Sequence, residues 1–306
     1  MMQRRDAPIR KAVIPVAGRG TRLLPATKSQ PKEMLPVGRK PVVQYVVEEA
    51  VEAGITQVLF ITGRQKSSIE DHFDRDPELD RVLAESGAYD QAEEMKFLDH
   101  DVAFFYSRQS TATGVANAIR LAADFVGDEP FLVAFGDTVI TSEHQPSLIQ
   151  RMMRDHQEHS ARATVAVESV SPDDVHRYGI VQPVGGTETE PQAPFEIEGL
   201  VEKPDRATAP SRLAIAPRYI FDRSIFDAIA LTLPGRGGEL WLTDSIAVLL
   251  KQEHSVRCLP LAAGERRYDI GNYESYFKAF IDFALTDERY GYTIRQYLVS
   301  KSEQID

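Results

Sequence analysis

Over residues 11–137 the chain alternates short apolar runs with amphipathic stretches, an order that few folds accept. "KAVIPVA" (11–17), "QVLFITG" (57–63), "VAFFYS" (102–107) and "PFLVAFGD" (130–137) read as buried strands. Between them, "PVVQYVVEEAVEA" (41–53), "SSIEDHFD" (67–74) and "TGVANAIRLAADFV" (113–126) read as helices. Pro41 stands in the first turn of the first helix and Gly54 just past its end, the usual asymmetry of helix termini. Alternation of this kind predicts right-handed βαβ units, and so a parallel sheet with helices on both faces. The pattern changes after residue 160. "RATVAVESV" (162–170), "YGIVQPVG" (178–185), "FEIEGLVEKP" (195–204) and "RLAIAPRYIF" (212–221) are closely spaced strands. Gly185-Gly186 and "TETEPQAP" (187–194) predict a hairpin loop between two of them. "LTDSIAVLLKQ" (242–252) and "NYESYFKAFIDFAL" (272–285) read as helices, the second with aromatics at a spacing suited to core or subunit packing. The expected fold class is α/β: a doubly wound, mostly parallel mixed sheet with a β-rich insertion and C-terminal helices.

The 306 residues carry a formal charge of −11, which argues against nucleic acid as a partner because a phosphate backbone wants a basic face. A local basic pocket for a small anion remains open. The single cysteine, Cys258, allows no intrachain disulfide and suits a reducing compartment. "MMQRRDAPIR" lacks the apolar core of a secretory leader, and no run of about 18 apolar residues predicts a membrane span. The cytoplasm is the expected compartment.

Against that acidic background, "AVIPVAGRGTRLLPATKSQPKEML" (12–35) gathers glycines and cations. A glycine loop after the first strand of a βαβ sheet lies at the carboxyl edge, where open α/β folds bind ligands. Glycines let backbone N–H groups approach a phosphate closely. The spacing matches neither a Walker A loop nor Gly-x-Gly-x-x-Gly, since residue 23 is Leu. Arg22, Lys28 and Lys32 follow on a segment interrupted by Pro25, Pro31 and Pro36, which cannot form one helix but can wrap a polyphosphate. On charge alone, a solvated surface loop is an equal reading.

The stretch "VIPVAGRGTRLLPATKSQPKEMLPV" resembles the signature of the sugar-nucleotide pyrophosphorylases, Gly-x-Gly-Thr-Arg followed by Pro-Lys-Glu-Met-Leu-Pro. Within that family it is most similar to the bacterial members that use UTP and glucose 1-phosphate. Further matches follow in the family's order: "VVQYVVEEA", "ITGRQKSSIEDHFD", Arg108-Gln109 with Gly114, "GDEPFLVAFGD", "YGIV", "VEKP", "LAIAPRYIF", "ELWLTDSI" and "YDIGN". Together they cover about residues 10–285. The resemblance implies one nucleotidyltransferase domain of Rossmann-like type over 10–270, with a nucleotide half at about 10–140 and a sugar-binding half at about 141–270. A helical tail over 271–306 follows, with a possible oligomer contact.

The implied reaction is uridylyl transfer from UTP to glucose 1-phosphate, dependent on Mg²⁺. By resemblance, Asp137 in "FGD" and Asp269 in "YDIGN" are the metal ligands, although a lone aspartate more often caps a turn or helix. Arg22 resembles the arginine that grips the β and γ phosphates. Lys32 resembles the lysine at the α-phosphate, and Lys203 the one on the sugar phosphate. Ala17, Gly18, Gly20, Thr21, Gln109 and Gly114 are implied in nucleotide binding; a glutamine amide both donates and accepts, as the edge of uracil or thymine requires. Tyr178, Gly179 and Glu202, with Lys203, are implied at the sugar. The implied partners are UTP (or dTTP) and a sugar 1-phosphate, with no nucleic acid or membrane and a homo-oligomer, dimer or tetramer, expected.

Two departures from the family pattern stand out. The usual Lys-Gly-Leu-Gly-His-Ala reads "TGVANA" here, with Thr113 and Asn117 in place of a cation and a histidine. Trp241, the only tryptophan, replaces a glutamine. Both leave the choice of base and sugar open: thymidylyl transfer or another hexose phosphate stays possible. A non-catalytic nucleotide-sugar sensor is the reading from another class. It would have little reason to keep Arg22, Lys32, Asp137, Lys203 and Asp269 together. His156 and His159 have one-face helical spacing but no third metal ligand, so a solvated helix face is expected; His72 is expected at the surface.

Overall fold

A computed structural model describes residues 8–99, 101–186 and 191–302. Among the described residues nine strands form one sheet. In spatial order they are Ala103–Arg108, Gln57–Thr62, Lys11–Pro15, Phe131–Ala134, Leu213–Phe221, Ala163–Ser169, Val256–Pro260, Phe195–Glu202 and Gly179–Pro183. The first four are mutually parallel. Leu213–Phe221 runs antiparallel to both neighbours, while Ala163–Ser169 and Val256–Pro260 are parallel. Phe195–Glu202 and Gly179–Pro183 form the expected antiparallel hairpin, and 187–190 of its loop lie outside the described residues. A further pairing, Ala214 with Ile180, closes the last five strands on themselves. The doubly wound expectation therefore holds for the first half, and the β-rich second half curls into a ring.

Strand alternation sends side chains to two faces, and each face is covered by helices. Ala12, Ile14, Val58, Phe60, Leu132 and Ala134 face helices Val42–Glu52, Ser67–Phe73 and Leu148–Glu158. Val13, Leu59, Ile61, Phe131 and Val133 face Val115–Arg120, Ser224–Leu231 and Leu242–Lys251. The helix expected over 113–126 is two, Val115–Arg120 and Ala123–Val126. The break is a tight turn in which Leu121 N–H donates to Ala118 O and Ala122 N–H to Ile119 O. Helices Tyr273–Thr286 and Gly291–Ser302 supply the tail. The first of them is fastened onto the segment of cations: Tyr273 OH donates to Leu23 O at 3.0 Å and Tyr276 OH to Pro36 O at 3.0 Å. Among the described residues no helix is long and apolar enough to cross a membrane. Cys258 is buried, and burial pushes its thiol pKa up.

His156 is not on a solvated face. Its helix turns it into the core, where it is 4% exposed and shares a 3.1 Å hydrogen bond with Thr164 Oγ1. His159 instead stays near the surface beside Asp155. His72 is half-buried, stacked on Phe97 with ring centroids 5.1 Å apart. Burial lowers the His156 pKa to about 4, against 6.5 for a free imidazole. The unfolded chain therefore binds a proton at a higher pH than the folded chain does. The contribution of His156 is fully present above pH 6.5 and is lost as pH falls toward 4. We expect acidification across that window to lower stability by on the order of 3 kcal/mol through this group, and His156→Gln to remove that part of the pH dependence. Urea denaturation at stepwise pH checks this; equal slopes for both proteins would contradict it.

Candidate active site

The four parallel strands deliver their carboxyl ends to one edge, so the loops after Pro15, Thr62, Arg108 and Ala134 gather there. Ala17, Gly18 and Gly20 lie in the first loop. It is held closed by Thr27 Oγ1 donating to Gly20 O at 2.7 Å and by Leu23 N–H donating to the same oxygen at 3.0 Å. The Pro-punctuated segment forms three single 3₁₀ turns, Thr21–Leu23, Ala26–Lys28 and Lys32–Met34. Thr21 and Arg22 are exposed on the first turn, and Lys28 stays exposed at the end of the second. Lys32, on the third turn, passes beneath Gly18, where an ideal Cβ would stand 3.8 Å from Lys32 Cε.

Lys32 Nζ is bonded to Asp137 Oδ2. Asp137 follows Phe131–Ala134 in a loop whose other end enters the short strand Thr138–Thr141. That strand pairs antiparallel with Arg266–Asp269, placing Asp269 opposite Thr138, and Ile270 N–H donates to Asp137 O at 2.9 Å. The two aspartates thus meet through a separate two-stranded ribbon rather than along the main sheet. Arg22 joins them: an ideal Cβ on Gly271 would fall 2.9 Å from Asp269 Oδ1 and 3.1 Å from Arg22 Nη2.

Charge decides how these groups titrate. Burial alone would raise the Asp137 pKa, but the Lys32 ammonium and its hydrogen bond outweigh it and hold Asp137 below the ordinary range. Burial also opposes the Lys32 ammonium, yet Asp137, Glu33 and Asp269 raise its pKa above the ordinary value. Asp269 is pushed up by burial and then by the charge on Asp137. Among the described residues no group of three or more His, Cys, Asp or Glu side chains gathers as a metal cage. The donor set nonetheless fits Mg²⁺, which takes one or two carboxylates and fills its remaining positions with phosphate oxygens and water. A cation between two carboxylates would also relieve the repulsion that raises Asp269.

Gln109 is 6% exposed, its backbone N–H on Thr62 O at 2.9 Å and its Nε2 donating to Gly114 O at 3.3 Å. Gly114 has φ 102°, and an ideal Cβ there would meet Leu240 O at 2.4 Å, so only glycine fits. Leu240 N–H donates to Thr113 O at 2.9 Å, and Asn117 Nδ2 donates to Thr113 Oγ1 at 2.6 Å. The two departures at 113–117 and 241 are therefore neighbours in space.

On the far side of that segment stand the residues that the resemblance implies at the sugar. Lys203 N–H donates to Tyr178 O at 2.9 Å, and Thr243 Oγ1 donates to Glu202 Oε2 at 3.0 Å. Gly179 is pressed against Thr243, with an ideal Cβ only 2.6 Å from Thr243 Cγ2. Lys203 adopts φ 48°, a left-handed conformation that costs a non-glycine residue about 1–3 kcal/mol and is found where surrounding contacts impose it. Arg267 ties this group to the aspartates. Its guanidinium lies 4.2 Å from the centroid of the Tyr178 ring and lowers the Asp269 pKa in opposition to burial.

Sequence reasoning missed the supports. Glu33 is 1% exposed and Lys66 5% exposed, with Lys66 Nζ 2.7 Å from Glu33 Oε2. This buried pair bolts the Lys32 turn to the loop after the second strand. Arg218, fully buried, donates to Glu49 Oε2 from Nη2 at 2.7 Å and to Thr138 O at 2.9 Å, steadying the strand behind Asp137. A buried charge in the middle of an apolar strand, as in "IAPRYIF", is the signal that could have exposed Arg218. Glu33 lay unread beside Lys32.

A glycine loop, converging cations and paired carboxylates at the carboxyl edge of a mixed α/β sheet define an enzyme that handles phosphates. Residues 11–285 match the family model described as nucleotidyl transferase. The chain belongs to that family and is a nucleotidyltransferase. It is 41% identical over 280 residues to the UTP–glucose-1-phosphate uridylyltransferase of Bacillus subtilis (strain 168), covering 92% of each chain. It is also 41% identical over 280 residues to UTP–glucose-1-phosphate uridylyltransferase 2 of Staphylococcus saprophyticus, covering 92% of this chain and 93% of that one. Among solved structures, a UTP-bound UGPase from Acinetobacter baumannii superposes with a TM-score of 0.87 at 33% identity, covering 95% of this chain and 99% of that one.

Removing Lys66 alone strands a buried carboxylate. Lys66→Met is expected to destabilise by about 3–5 kcal/mol, and Glu33→Gln added to it to recover part of the loss. Chemical denaturation of Lys66→Met, Glu33→Gln and the double variant measures this; additive losses would contradict a direct pair.

Proposed function

We propose that this chain transfers the uridylyl group of UTP to glucose 1-phosphate, releasing pyrophosphate and forming UDP-glucose. A phosphate oxygen of the sugar phosphate attacks the α-phosphorus in line. The bond from that phosphorus to the oxygen bridging to the β-phosphate breaks, and its electron pair leaves with pyrophosphate. The nucleophile is already an anion, so no general base is required. The task is to bring two polyanions together, and positioning with charge neutralisation carries it. The observation that supports this most strongly is the meeting of Lys32, Arg22, Asp137 and Asp269 beneath the glycine loop.

In this reading the Ala17–Gly20 backbone and Gln109 take the nucleotide, with Thr21 and Gly114 shaping its pocket. Arg22 holds the β and γ phosphates, and Lys32 neutralises charge at the α-phosphate and leaving group. Asp137 and Asp269 would hold Mg²⁺, which supplies charge neutralisation to the phosphates. Tyr178, Gly179 and Glu202 receive the hexose, and Lys203 its phosphate. The names of the relatives at 41% identity support UTP and glucose 1-phosphate as the pair. The neutral Thr113 and Asn117 sit close to Gln109 and leave base contact to its amide. We assign the exposed aromatic face of the C-terminal helices, including Phe277, Tyr292 and Tyr297, to a second copy of this chain. Light scattering is expected to give the mass of a dimer or tetramer, and a monomer would remove this assignment.

Pyrophosphate release with Mg²⁺, measured across five nucleoside triphosphates and several sugar 1-phosphates, is expected to peak with UTP and glucose 1-phosphate. A peak with dTTP or another hexose would keep the chemistry and change the substrates; no release with any pair would favour a sensor. Asp137→Asn and Asp269→Asn are each expected to lower kcat at least about a hundredfold with an unchanged circular dichroism spectrum. Full activity in either would remove the metal assignment.

A further inference from the structure

The sugar-phosphate lysine has an unusual neighbour. Lys203 Nζ lies over the ring of Trp241, 5.8 Å from its centroid. The Lys203 side chain is 54% exposed, and Glu202 Oε1 stands 3.3 Å from its ammonium. A long exposed lysine normally samples many rotamers. Here its backbone is pinned to Tyr178, and its ammonium has a carboxylate beside it and an aromatic face beneath it.

Trp241 is itself fixed. It directly precedes helix Leu242–Lys251, and its carbonyl accepts from both the N–H and the Oγ of Ser245 at 3.3 Å. The indole packs against the backbone of Gly235, where an ideal Cβ would stand 3.3 Å from Trp241 Cε3. Two residues on, Thr243 holds Glu202. One short segment thus supports both members of the Glu202–Lys203 pair.

We propose that Trp241 is a positioning residue for Lys203, holding its ammonium at the sugar-phosphate subsite by a cation–π contact. This rests on the role assigned to Lys203 above. An aromatic face suits the task for a chemical reason. It attracts the ammonium through its quadrupole without occupying an N–H donor in a directional hydrogen bond. It also adds no negative charge to repel the incoming phosphate, as a second carboxylate would. The contact with the ring takes no acceptor position from the substrate phosphate, while the ammonium's position is restricted.

A double-mutant cycle tests this. Trp241→Ala is expected to raise KM for glucose 1-phosphate about two- to fivefold, the size of an exposed cation–π contact, with kcat and KM for UTP near wild type. Trp241→Phe keeps a ring and is expected to recover part of the loss. In a Lys203→Ala background, Trp241→Ala is expected to add nothing. If Lys203→Ala leaves KM for glucose 1-phosphate unchanged, the reading of Lys203 itself fails. If Lys203→Ala raises that KM but Trp241→Ala has the same effect in both backgrounds, or none in either, Lys203 keeps its role and the positioning proposal is overturned. Trp241 is the only tryptophan, so its emission reports on the subsite directly. Saturating UDP-glucose is expected to shift it, less so in Lys203→Ala. Emission indifferent to UDP-glucose in the wild-type chain would also overturn the proposal.

Discussion

The ion pair between Lys32 and Asp137 joins loops 105 residues apart in sequence and does so with little access to water. Desolvating two charges is costly unless their geometry is good and the remaining polar atoms are satisfied. Much of the ligand edge serves that requirement. Glu33, the next residue, has its own buried pair with Lys66, so neighbouring residues of one turn are tied to two different loops. The ribbon of Thr138–Thr141 with Arg266–Asp269 holds the second carboxylate close enough to feel Asp137, and Arg218 braces the first strand of that ribbon from behind. The C-terminal helix clamps the cation segment through Tyr273 and Tyr276.

The parts of the fold repeated in local pattern were legible in the sequence. Strand–helix alternation located the four parallel strands within a few residues, because side-chain periodicity is imposed by one sheet and two helical layers. The prolines after Arg22 excluded a helix, and three 3₁₀ turns stand there. What escaped depends on distant partners. The ribbon that joins the aspartates consists of two four-residue strands from opposite halves of the chain, too short to show a period. The closure of the last five strands rests on the pairing of Ala214 with Ile180. His156 was misjudged because its neighbours in "DHQEH" are polar, whereas the helix turns it toward Thr164. The roles of the site residues came from family resemblance. The geometry now adds that Arg22, Lys32, Asp137 and Asp269 are brought together, while Glu202 and Lys203 form a second group connected through Tyr178 and Arg267.

The departures at Thr113, Asn117 and Trp241 look unrelated in sequence. In space the backbone of Leu240 joins them, accepting from Ala116 N–H and donating to Thr113 O. One side of this seam holds the glutamine proposed to read the base, and the other holds the lysine proposed to take the sugar phosphate. Substituting at such a seam can tune both sites without disturbing the buried charges at Lys32 and Asp137. This explains how the chain departs there and still keeps Arg22, Lys32, Asp137 and Asp269 together.

The claim that Lys32 is the central neutralising charge is tested most directly by single-turnover pyrophosphate release from Lys32→Gln, with UTP binding measured separately by calorimetry. UTP binding is expected to stay within a few-fold of wild type, with a chemical step at least about a hundredfold slower. A chemical step near the wild-type rate would contradict it.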